Sequence, residues 1–76
     1  MSEGEAPLQE SVAAAIRDAA ALAESVAATF ERTAGTYRRM AATARSSDER
    51  ARLLARAAHL EDLAAKEHAA ARRFPT

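Results

Sequence analysis

Large apolar side chains recur along the first half of the chain at Leu8, Val12, Ile16, Leu22, Val26, Phe30, Tyr37 and Met40, with Ala15, Ala19 and Thr33 in the places between. The steps alternate between three and four residues, so these positions share one face of an α-helix and approximate a heptad seam. Pro7 suits the first helical turn, where its missing N–H is no loss. The pattern therefore predicts one helix over residues 7–44, preceded by a flexible segment 1–6 that holds no large apolar residue after Met1. Gly35 is the weak point, because glycine inside a helix costs about 1 kcal/mol relative to alanine. The stripe keeps its phase across it, which favours an unbroken helix, bent at most, over two shorter ones.

A second helix is announced by Ser46-Ser47-Asp48-Glu49. The Ser46 hydroxyl can cap the amide of Glu49 while the Glu49 carboxylate reaches back to the amide of Ser46. Arg45 with Glu49, and Asp48 with Arg52, stand four apart and can pair, at about 0.3 kcal/mol each. From there the stripe runs Leu53, Ala57, Leu60, Ala64, Glu67, Ala71 and Phe74, flanked by Leu54 and Leu63, and Pro75 ends a helix expected over 47–73. No segment alternates as a strand does, and there is no internal repeat. The expected fold is all-α: a two-helix antiparallel hairpin forming a single domain over 7–76.

Folding the second helix back from a turn near Arg45 places Met40 opposite Leu53, Thr33 opposite Leu60, Phe30 opposite Leu63 and Glu67 near Val26. Helix one is the longer, so Leu8, Val12 and Ile16 overhang as an apolar stripe without a partner in their own hairpin. A chain this short buries a small core, and pairing with a second copy would enlarge it. Antiparallel pairing of two first helices about Val26 sets Val12 against Met40, Ile16 against Tyr37 and Leu22 against Phe30. The expected assembly is a homodimeric four-helix bundle, with Leu8, Val12, Ile16, Leu22, Val26, Phe30, Tyr37 and Met40 as its interface.

Charge supports that arrangement. Six acids (Glu3, Glu5, Glu10, Asp18, Glu24, Glu31) precede Arg32 against Arg17 alone, while Arg38, Arg39, Arg45, Arg50, Arg52 and Arg56 surround the turn against Asp48 and Glu49. The formal net charge is nonetheless zero, which argues against nucleic acid as the main partner. An arginine-rich tip still leaves a weak nucleic-acid accessory role as an alternative. There is no cysteine, so no disulfide framework is indicated, and no apolar run approaches a membrane span. A cytoplasmic protein is expected.

Candidate chemistry is sparse. Glu67 is a possible polar seam residue, since it falls seven after Leu60 and seven before Phe74 within the apolar stripe. Glu24 and Glu31 share a face of helix one, and His59 and Asp62 share a face of helix two. The Glu-x-x-His spacing of di-iron carboxylate bundles is absent, because Arg56 stands three before His59 and Ala65 three before His68. The histidines are therefore assigned to the surface and no metal ligand or cofactor is expected, a metal- or ligand-binding bundle remaining the alternative. No nucleophile constellation or phosphate loop is present, so the chain is expected to be no enzyme. The function expected is that of a small helical protein-protein interaction module, regulator or adaptor, acting through self-association and presenting its remaining faces to a larger protein partner.

Overall fold

The computed structural model describes residues 5–74 and has two helices, α1 (Glu5–Ala42) and α2 (Ser47–Arg73), packed antiparallel across a turn over residues 43–46. Residues 1–4 of the expected flexible segment lie outside the described residues; Glu5 and Ala6 belong to α1. Pro7 thus sits inside the first turn, where backbone N–H groups have no partner one turn back. Gly35 lies within an unbroken helix and its φ is not positive.

Helix α1 stops at Ala42, two residues before the expected end. The amides of Thr43 and Ala44 donate to the carbonyls of Met40 and Ala41, each at 3.2 Å, which tightens the last turn to three-residue bonding. Arg50 then reaches across from α2 and donates from Nε to the Ala41 carbonyl at 3.3 Å. A cation on the exposed carbonyls of a helix C-terminus is favourable. At the start of α2, Ser46 is extended (φ −136°, ψ 157°) and its Oγ accepts from the Glu49 amide at 3.1 Å. The Glu49 carboxylate accepts from the amide of Arg45, at 3.2 Å, rather than from that of Ser46. Arg45 therefore serves the turn through its backbone, and the expected side-chain pairs Arg45–Glu49 and Asp48–Arg52 are not among the ion pairs of the described residues.

The seam between the helices is made of alanine. Ala23, Ala27, Ala34 and Ala41 from α1 meet Ala57, Ala64 and Ala71 from α2, and these are the buried residues of the described chain; among the described residues no large side chain is fully buried. On α2 the seam includes the alanines the stripe had marked. On α1 the expectation is off by one residue, since the buried positions 23, 27, 34 and 41 follow Leu22, Val26, Thr33 and Met40. One residue is a rotation of about 100°. Methyl groups repeating every seven residues let the two backbones approach closely, and close approach multiplies dispersion contacts along the whole length. Leucine or phenylalanine in the same places would hold the helices apart. Thr33 is exposed and bonds its hydroxyl to the Thr29 carbonyl at 3.0 Å.

Helix α1 is about 57 Å long and α2 about 40 Å, within a rod of 68 × 15 × 11 Å. Cross-helix contacts fix the register: Arg50 at Ala41, Arg56 over Tyr37, and His68 between Glu24 and Glu31. This agrees with the alignment drawn from the turn. The N-terminal part of α1, with Leu8 and Val12, runs on past the end of α2.

Candidate functional site

The alanine seam divides the surface into two flanks. Along one, Glu24, Glu31 and Arg38 succeed each other at seven-residue steps on α1, and Glu61 and His68 do the same on α2. Arg38 forms an ion pair with Glu61, and the hydrogen bond and charge of that carboxylate both raise the arginine pKa. His68 is held from two sides: Nδ1 lies 2.6 Å from Oε2 of Glu24 and Nε2 lies 2.5 Å from Oε1 of Glu31. A neutral imidazole donates from one nitrogen only, so the form that satisfies both carboxylates is the imidazolium. Hydrogen bonding to Glu31, then to Glu24, raises the His68 pKa against partial desolvation.

His68 is a surface residue, and the arrangement adds that it is not a free one. Its side chain is 33% exposed and engaged at both nitrogens. The pairing of Glu24 with Glu31 on one face was visible from their spacing. What joins them to His68 is the register, which sets residue 68 of α2 beside the interval between 24 and 31 of α1. Glu67, the polar residue the stripe singled out, is half-buried on the other side of the seam and accepts no side-chain hydrogen bond among the described residues. His59 is exposed. The two carboxylates sit at opposite edges of the His68 ring rather than converging on one point, and among the described residues no three such side chains are arranged to hold a metal ion.

The other flank is apolar. Seven of the eight residues expected at an interface lie on it by helical phase, to one side of the alanine positions, while Ile16, seven residues before Ala23, continues the line of the seam itself. Leu8 (67% exposed), Val12, Leu22 (65%) and Met40 (48%) stand in solvent, and Ile16, Val26, Phe30 and Tyr37 are half-buried. Leu8, Val12 and Ile16 line one groove of about 330 Å³ along the overhang. Nearer the tip, Tyr37 and Leu60 line a second of about 420 Å³ with Ala55, Arg56 and His59. The Arg56 guanidinium stacks over the Tyr37 ring, 5.9 Å from its centroid.

The arginines of the tip are largely engaged within the chain: Arg38 with Glu61, Arg50 with the Ala41 carbonyl, Arg56 with Tyr37, and Arg39 with the Thr36 hydroxyl at 3.1 Å. Among the described residues no helix is long and apolar enough to cross a membrane. Comparison with family models, curated proteins and solved structures finds no match to this chain.

Proposed function

We infer that this chain is a non-enzymatic helical interaction module, regulatory or adaptor in kind, that acts by self-association through its apolar flank. The observation that carries this is the division of labour at the seam. Alanines consume the facing surfaces of α1 and α2, so the larger apolar side chains are turned to one side, where nothing among the described residues fully covers Leu8, Val12, Leu22 or Met40. An apolar stripe of that length on a small protein is a contact surface. The two-fold pairing about Val26 matches Leu22 with Phe30, Ile16 with Tyr37 and Val12 with Met40, and so covers each overhang with the tip half of the other copy's α1.

Charge contributes less to this pairing than the sequence alone implies, because Glu24, Glu31, Arg38 and Arg50 have partners within the hairpin. Apolar burial is the driving term. The dimer's outer faces are then the ones left for a larger protein partner in the cytoplasm. Sedimentation equilibrium of the wild-type chain tests the proposal. A dimer at micromolar concentration is expected, and a well-folded monomer there would end it.

A further inference from the structure

We propose that Glu24, His68 and Glu31 form a pH-operated clamp that fixes the C-terminal turns of α2 against α1 when the imidazole is protonated and lets them detach when it is not. The geometry is specific to the charged ring. With Nδ1 at 2.6 Å from one carboxylate oxygen and Nε2 at 2.5 Å from another, loss of either proton leaves a ring lone pair facing a carboxylate, which repels. The two acceptors lie two helical turns apart on α1, so the ring ties the α2 backbone to a stretch of α1 rather than to a point.

The clamp matters because the apolar contacts at this end are partial. Beyond His68 on α2 only the Ala71 methyl is buried among the described residues, with Ala69, Ala70 and Phe74 half-buried, and burying one methyl contributes little. The tip end is instead tied by the capped turn, by Arg50 on the Ala41 carbonyl and by Arg38 on Glu61. Opening therefore starts at the C-terminus of α2. It would bare Ala20, Ala23 and Ala27 of α1 and lengthen the unpaired part of that helix.

Other charged groups on this flank are accounted for. Arg38 and Glu61 satisfy each other one heptad toward the tip. Arg72 follows His68 by four residues and Arg17 precedes Glu24 by seven, and neither is among the ion pairs of the described residues. Glu67 stands next to His68 in sequence but across the seam. The two carboxylates are the groups that face the ring.

The direction follows by linkage. The His68 pKa is raised in the folded chain, above about 6.5 for a free imidazole. The clamp's contribution is fully present below that free value and is lost as pH rises through the raised one. Proton NMR titration of the wild-type chain should show the His68 ring titrating above 6.5. Hydrogen exchange, normalised for intrinsic rate, should show residues 69–73 losing protection across the same interval while residues 53–60 keep theirs. His68→Gln should remove that alkaline loss. A His68 titrating at or below 6.5, protection lost evenly along α2, or a His68→Gln chain that keeps the wild-type pH profile would each overturn the clamp.

Discussion

The two flanks of the hairpin are built from the same two helices and end in opposite conditions. On the polar flank five charged groups pair across the seam: Glu24 and Glu31 with His68, and Arg38 with Glu61. On the apolar flank the large side chains reach toward one another over the seam and remain half-covered, with Leu22 and Met40 open to solvent. Those charges can pair within one chain because each ion needs only one or two neighbours. Apolar burial is incomplete because a leucine or phenylalanine is covered only when surrounded, and two helices surround nothing. The polar flank is thus satisfied within the chain, and the apolar flank is the one that the proposed assembly would cover.

The strongest way to break that contrast is to place a charge on the apolar flank. In the proposed dimer Val26 meets its own equivalent at the two-fold axis, so Val26→Asp brings two carboxylates together where desolvation and repulsion add. A loss of about 3 kcal/mol, or more than about a hundredfold in dissociation constant, is expected by sedimentation velocity. Arg52→Asp, away from that axis, should leave association nearly unchanged. A Val26→Asp chain that stays dimeric would refute the pairing.

Much of this was legible before the structure. The three-four spacing and the Ser46 cap specify two helices and the turn between them, and the turn's position sets the register that the Arg56–Tyr37 and His68 contacts display. The face that α1 turns to α2 was not legible. Hydrophobic periodicity is dominated by the largest side chains, and it points to Val26, Phe30 and Tyr37. In a chain so rich in alanine, the heptad of Ala27, Ala34 and Ala41 is lost among its neighbours, although it matches Ala57, Ala64 and Ala71 in spacing. The same rotation hid the clamp, because a seam centred on Val26 leaves Glu24 and Glu31 pointing away from α2.

Filling the seam tests its alanine character. Ala64 is 2% exposed, and Ala64→Leu would force the backbones apart or a side chain off its rotamer, at about 1–3 kcal/mol. Ala58→Leu, on the exposed side of the same helix, should change stability by no more than about 0.5 kcal/mol. Urea unfolding at one fixed protein concentration reads both. Equal effects would mean that the seam is not closely packed.

The turn joins the two flanks, so its cap should affect them alike. Ser46→Ala removes the acceptor of the Glu49 amide and should cost about 1 kcal/mol. The accompanying bond from the Arg45 amide to Glu49 keeps the turn from losing all its order. An unchanged melting temperature would mean that the Glu49 carboxylate alone holds this terminus.

The smallest effect has the opposite sign and separates hairpin stability from assembly. Gly35 is interior to α1, carries no positive φ, and an added Cβ would meet only the Arg39 Nη1 at 3.5 Å, an ordinary contact with the end of a flexible side chain. Nothing at this position requires glycine. Gly35→Ala should therefore stabilise the hairpin by about 0.5–1 kcal/mol, through the lower backbone entropy of the unfolded chain and the higher helix propensity of alanine. By helical phase Gly35 lies on the side of α1 away from Val26 and Tyr37, so the added methyl does not touch the apolar flank. Melting temperature should rise while the dissociation constant of the dimer stays the same within error. If Gly35→Ala instead weakens association, α1 must bend at this glycine when two copies meet, and the straight pairing of Val12 with Met40 would have to be redrawn.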